Sequence, residues 1–167
     1  MPMHEKSITL LNKAVGDELS AILQYMYFHF HCDDQGYELL SGLFRKAAIA
    51  EMIHAEQLAE RILFLGGDVE MKASHPVEKI QDVRKMLEKA RSMEEAAIMD
   101  YNKWAIESAN NADSVTKKVF EDLTADEEGH YEQYDDELEN LDKYGEQYLV
   151  LQSMERSKSQ SSGQAGE

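Results

Sequence analysis

Cysteine is nearly missing from this chain: Cys32 is the only one in 167 residues. That excludes an intrachain disulfide, a C-x-x-C pair and any thiolate metal cluster, and it fits a reducing compartment. Proline is as scarce, with Pro2 and Pro76 alone, so long helices can run unbroken. Val, Thr and Ile form no alternating runs, which removes the usual strand signal. No apolar segment approaches the roughly 20 residues that cross a bilayer. "MPMHEKSITL" has no charged leader followed by an apolar run. The expectation is a soluble, cytoplasmic protein with no membrane partner. Basic residues are few as well, 17 Lys and Arg against 33 Asp and Glu, for a formal charge of −16. Such a surface is wrong for nucleic acid or anionic lipid. It suits the attraction of cations, although solubility alone also accounts for it.

What remains is rich in Glu, Lys, Leu, Ala and Met, all good helix formers. The length suits one domain with a continuous core. Reading for a 3.6-residue period gives four long amphipathic segments. Their stripes are Leu11, Val15, Glu18, Ile22, Tyr25, His29; then Leu40, Ala47, Glu51, His54, Leu58, Ile62, Leu65; then Val83, Leu87, Ala90, Glu94, Ala97, Tyr101, Ala105; and Phe120, Leu123, Glu127, His130, Tyr134, Leu138, Leu141. Breaks fall at "CDDQG" (32–36), "GGDVEMKASHP" (66–76) and "NNADS" (110–114). The first and third are short and predict antiparallel hairpins, with Asp113 or Ser114 as the N-cap of the fourth helix. The middle break, about a dozen residues, can reach roughly 40 Å when extended, enough to run the bundle's length. The fold class is therefore all-α, a four-helix bundle with one long crossover. "EQYLVLQSMERS" predicts a short C-terminal fifth helix. The domain is taken as residues 1–156, with 157–167 a disordered polar tail.

Each stripe is apolar except at its middle, where a glutamate intrudes, and twice a histidine follows at i+3. One Glu-x-x-His pair is about what chance supplies in a chain with six histidines and 21 glutamates. The joint pattern is not. Glu18 and Glu51 lie almost equally far from the first turn, as do Glu94 and Glu127 from the second. Glu18/Glu94, Tyr25/Tyr101, Glu51/Glu127 and His54/His130 all coincide under one shift of 76 residues. That is the mark of a duplicated helical hairpin. Four like charges in a core cost several kcal/mol each unless neutralised, and no Lys or Arg shares the central stripes. Two divalent cations would cancel them, with His54 and His130 as neutral nitrogen ligands. Carboxylate oxygen with one imidazole per metal suits iron or manganese. One Glu from each of two helices and Glu-x-x-His from each of the others is the carboxylate di-iron pattern of such bundles.

At "LNKAVGDELSAILQY", "AEMIHAEQLAERILFLGG" and "DEEGHYEQYDDEL" the chain resembles the bacterioferritins, from about residue 4 to residue 150. The resemblance implies a ferritin-like bundle whose two iron ions are bound by Glu18, Glu51, His54, Glu94, Glu127 and His130, with Glu51 and Glu127 bridging. Tyr25 matches a tyrosine close to that site, either orienting a carboxylate or supplying an electron. Tyr101, at the same spacing, is read first as core packing with a hydrogen-bonded hydroxyl and second as sharing that role. Met52 falls where the family ligates haem, one per dimer between two methionines. The resemblance further implies iron storage and detoxification. Fe2+ would be oxidised by O2 or peroxide, and ferric mineral held in a cage of 24 subunits built from dimers. An electron donor such as a small ferredoxin would serve the haem. Lys46 and Ala50 depart from members that carry a histidine and an aspartate at an inner-surface iron site. The rivals are a non-storing di-iron oxidase or peroxidase, a twelve-subunit mini-ferritin cage, and a non-catalytic haem-carrying or structural cage. A rubrerythrin-type peroxidase needs a four-cysteine iron domain, which one cysteine excludes.

Overall fold

A computed structural model describes residues 2–164, with side chains from 4 to 163. Five helices follow one another: α1 (Pro2–Asp34), α2 (Glu38–Phe64), α3 (Val83–Asn110), α4 (Ser114–Tyr144) and α5 (Glu146–Gln164). Helix α1 packs along α2, and α3 along α4, as two hairpins that face each other. No described helix is long and apolar enough to cross a membrane.

The helix limits follow local chemistry. Asp82 caps α3 by accepting from the Lys85 N–H, and Asp113 caps α4 by accepting from the Thr116 N–H. Helix α2 stops at Gly66, whose φ of +80° only glycine adopts without strain. The N–H groups of Gly66 and Gly67 return to Leu63 O and Ile62 O, filling carbonyls that the helix end would leave open.

The crossover is longer than the sequence suggests, occupying residues 65–82, so α3 starts well beyond Pro76. Helix α1 holds this stretch extended with a ladder of polar groups at four-residue spacing. Asn12 bonds both Asp68 O and Glu70 N, the Gly16 carbonyl accepts from Ser74 N, Ser20 Oγ accepts from His75 N, and Gln24 takes both Glu78 N and Glu78 O. Backbone groups satisfied this way have no need of a helix. Because 68 to 81 climbs beside 12 to 35, the crossover runs parallel to α1 and delivers α3 parallel to α2. Close approach favours glycine at position 16: a Cβ there would stand 2.5 Å from Ser74 Oγ, which would have to turn away, and 3.1 Å from the Lys72 carbonyl.

Helix α5 is also longer than expected. The sequence suggests an irregular tail from residue 157, yet α5 continues to Gln164. Hydroxyls of Ser157 and Ser161 bond carbonyls one turn back, and Arg156 reaches Asp33 on α1. Residues 165–167 lie outside the described part. Gln152, fully buried on α5, accepts from Leu40 N and so caps the start of α2, where Tyr37 offers no side-chain cap.

At the other end of the bundle, Asp113 ties three helices together. It accepts from Ser7 Oγ at 2.7 Å, Arg61 Nη2 at 2.7 Å and Thr116 Oγ1 at 2.6 Å. Burial opposes its ionisation, but the bonds from Thr116, Ser7 and Arg61 win and bring its pKa from 3.8 down to about 2. The folded value is the depressed one, so the stabilisation, about 2 kcal/mol, is present above pH 4 and lost as pH falls from about 4 to 2. Asp113→Ala removes the cap and strands Arg61. It is expected to destabilise by about 3 kcal/mol at pH 7 in chemical denaturation, with the deficit shrinking toward pH 2.

Apolar side chains fill the bundle in two blocks. One gathers Tyr25, Phe28, Phe44, Leu87 and Leu138 toward the α5 end. The other gathers Leu11, Leu58, Ile62, Trp104 and Phe120 toward the Asp113 end. Between them lies a polar layer.

Candidate metal centre

The polar layer is made of the four mid-stripe glutamates and two histidines. Glu18, Glu51, Glu94 and Glu127 are each 1–2% exposed. Equal distance from each hairpin turn puts them at one height, as their spacing in the chain requires. His54 is buried, His130 keeps slight exposure, and their rings stack at 5.9 Å.

Two overlapping sets of ligand atoms result, Glu18, Glu51, His54 and Glu127 in one and Glu51, Glu94, Glu127 and His130 in the other. Glu51 Oε2 stands 3.0 Å from His54 Nδ1, and its Oε1 stands 2.9 Å from His130 Nδ1. Glu127 likewise faces both rings, Oε1 at 2.8 Å from His54 Nδ1 and Oε2 at 3.4 Å from His130 Nδ1. Glu18 belongs to the first set alone and Glu94 to the second alone.

Short as these distances are, Glu51 Oε1, Glu127 Oε1 and His130 Nδ1 are buried without a hydrogen-bond partner, because the angles miss. Lone pairs that converge on a shared space rather than on one another are arranged for a cation. The donor set, hard oxygen with one nitrogen on each side, fits a pair of iron ions.

Electrostatics tell the same story. Burial drives the Glu51 carboxyl well above the ordinary carboxylate range, and the Glu18 charge adds to it. Burial does the same to Glu94, reinforced by the Glu127 carboxylate beside it. Burial opposes the Glu127 charge, but the Glu94 carboxyl and the two imidazoles that face it hold its carboxyl well below the ordinary range. Burial would lower both histidines, yet Glu127, with Glu18 and Glu51, holds His54 far above its usual value, and Glu127 and Glu94 raise His130. Without a cation, these shifts favour protons within the cluster. Any cation that binds must displace them, so its affinity falls as pH falls.

Two tyrosines close the layer. Tyr25 on α1 donates to Glu94 Oε1 on α3 at 2.5 Å, and Tyr101 on α3 donates to Glu18 Oε1 on α1. The bonds are exchanged between the two halves of the duplication. Burial first, then the charge of the bonded glutamate, raises both phenols far above their usual value and keeps them as donors. Tyr101, which the sequence reads first as core packing, stands as close to a glutamate as Tyr25 does. Asp126 is a further neighbour that the stripes miss: its Oδ2 lies 3.1 Å from His54 Nε2.

A cavity of about 370 Å3 opens between α1, α3 and the crossover. All four glutamates line it, with Asp17, His75 and Asp100 among its outer residues. Met52 is not part of the layer. It is 47% exposed on the outer side of α2, where Ile49 and Ile53 are also exposed, and α1 exposes Leu23, Met26 and Phe30.

The comparisons with known proteins bear on the fold and the family. The model of the ferritin-like domain family matches residues 8–144. The bacterioferritin of Desulfovibrio desulfuricans is 35% identical over 87% of this chain and 81% of its own length. That of Brucella melitensis is 34% identical over 85% of this chain and 88% of its own. Among solved structures, the D. desulfuricans bacterioferritin, determined with its di-iron site in different catalytic states, superposes with a TM-score of 0.89. It covers 91% of this chain and 89% of that one at 34% identity. The Rhodobacter capsulatus bacterioferritin, which has a metal-free dinuclear site and a haem iron, gives a TM-score of 0.84 at 33% identity, covering 88% of this chain and 92% of that one. With the family model spanning most of the bundle and relatives of this identity along nearly its whole length, the chain belongs to the bacterioferritin family.

Proposed function

We propose that the chain stores and detoxifies iron as a ferroxidase, oxidising Fe2+ at the Glu18–Glu51–His54–Glu94–Glu127–His130 centre and keeping the ferric product in a cage of its own copies. The observation that carries the reading is the pair of overlapping ligand sets, with partnerless buried atoms pointed between two histidines. The membership in a family with a relative solved with its di-iron site in different catalytic states supports it.

Iron is the substrate as well as the occupant. Two Fe2+ supply one electron each, so O2 with two protons becomes H2O2, or H2O2 with two protons becomes two waters. The chain's part is to bring both ions and the oxidant together in a dry, preorganised site. Glu51 and Glu127, each with one oxygen near either histidine, would hold both ions. His54 and His130 supply one nitrogen to each. The four carboxylates favour the higher charge of the ferric state, and binding releases the protons that they and the histidines hold. Adding Fe2+ in air to metal-free protein should give a fast oxidation phase that ends at two ions per chain. Oxidation at the rate of free Fe2+ in buffer would defeat the proposal.

Tyr25 and Tyr101 act as positioning residues, each holding a glutamate that serves one position alone. Tyr25→Phe or Tyr101→Phe should slow the fast phase about 10-fold and weaken metal binding comparably, as loss of an outer hydrogen bond does. Unchanged kinetics and affinity in both variants would remove the role.

Met52 is proposed to ligate haem across a dimer. The R. capsulatus relative contains a haem iron, and a two-fold axis beside the exposed apolar side of α1 and α2 would bring two Met52 sulfurs together. The assembly is proposed to be the family's cage of 24 subunits, to be distinguished from twelve by native mass, with an outside electron donor such as a small ferredoxin serving the haem.

A further inference from the structure

We propose that the two metal positions are unequal. The cation beside Glu18 and His54 is held tightly, and the one beside Glu94 and His130 is the exchangeable partner. The inference rests on the six residues being the ligands and goes beyond that assignment.

The duplication makes the comparison internal. Under the shift of 76 residues, nearly every contact of one position recurs in the other. Glu51 and Glu127 are shared by both. Glu18 receives a phenol hydroxyl from Tyr101, and Glu94 receives one from Tyr25. Each histidine turns Nδ1 toward the glutamates. These features cannot favour one position over the other.

The outer nitrogens differ. His54 Nε2 stands 3.1 Å from Asp126 Oδ2, so its N–H is fixed on a carboxylate. The residue that corresponds to Asp126 in the other half is Ala50, whose methyl accepts nothing. Among the described residues His130 Nε2 has no hydrogen-bond partner, and its side chain is 15% exposed against 3% for His54. A carboxylate behind a ligating imidazole fixes its tautomer and ring orientation and strengthens the nitrogen as a donor to metal. Loss of such a partner costs 10–100-fold in affinity. Asp126 is itself 59% exposed, so solvent screening puts the difference at the lower end. When the His130 ring lets go of its cation, no outer hydrogen bond resists its turning, which gives the second cation an exchange path that the first lacks.

The test is a Co2+ titration of metal-free protein, followed by calorimetry and by the visible absorption of bound Co2+. Two steps per chain are expected, separated by about 10-fold in affinity. Asp126→Ala should weaken the tight step alone by about that factor, and Asp126→Asn, which keeps an acceptor, should recover part of it. Ala50→Asp should tighten the weak step alone. Two equal steps in the natural chain, or a tight step untouched by Asp126→Ala, would overturn the inference while leaving the ligand set intact. Failure to bind two Co2+ per chain would overturn the ligand set itself.

Discussion

Glu51→Ala is expected to abolish rapid Fe2+ oxidation, lowering the rate at least about 100-fold, since partners outside the ligand set already cost 10–100-fold. The size of the effect comes from the position of Glu51, which places one oxygen by each histidine, 3.0 and 2.9 Å away. Its removal strips both positions at once and opens the route for charge repulsion between two cations that no longer share a ligand. The fold should survive. In the metal-free protein burial already disfavours the Glu51 charge, so losing the carboxyl relieves a cost that partly offsets the space left behind. Circular dichroism should therefore stay helical, and melting without metal should shift little. With Co2+ present the natural chain should melt higher than without it, while the variant should not respond. Glu127→Ala should behave in the same way, for the same geometric reason. Oxidation at the natural rate in either variant would mean that the cluster is not the site of chemistry.

Met52→Leu is expected to take haem from one per two chains to none, with loss of the low-spin Soret band from purified or haem-reconstituted protein. The substitution keeps volume and helix propensity on a side chain that is already 47% exposed, so bundle stability should change by less than about 1.5 kcal/mol. One residue along a helix turns the side chain about 100°, which is why Met52 leaves the layer that Glu51 and His54 share. Iron oxidation at the di-iron centre should consequently persist in Met52→Leu, while release of stored iron by an added reductant should slow. A Soret band untouched by the substitution would reduce Met52 to an apolar residue on that face.

Much of this architecture was legible because buried charge is rare. A glutamate in the middle of an apolar stripe stands out, and the repeat of 76 residues binds four such positions into one layer. The crossover's true length was not legible. Pro76 marks a break, but only the packing of α1 shows that Gln24 holds Glu78 and delays α3 to Asp82. Helix α5 outruns its expected end, and its Arg156 meets Asp33, a contact 123 residues distant in sequence that the sequence alone does not show. Tyr101 carried the same spacing signal as Tyr25, and equal treatment under the repeat would have placed both. Asp126 sits one residue before Glu127, turned off the stripe, and reads as a solvated acid until α2 and α4 pack. The alignment of Asp126 with Ala50 was the available clue.

Iron-edge anomalous diffraction from crystals soaked anaerobically in saturating Fe2+ tests the central claim most directly. Two peaks per chain are expected inside the bundle, about 3.5–4 Å apart, one beside His54 Nδ1 and one beside His130 Nδ1, with Glu51 and Glu127 reaching both. Anomalous density confined to the acidic surface, with none between the two histidines, would contradict the account.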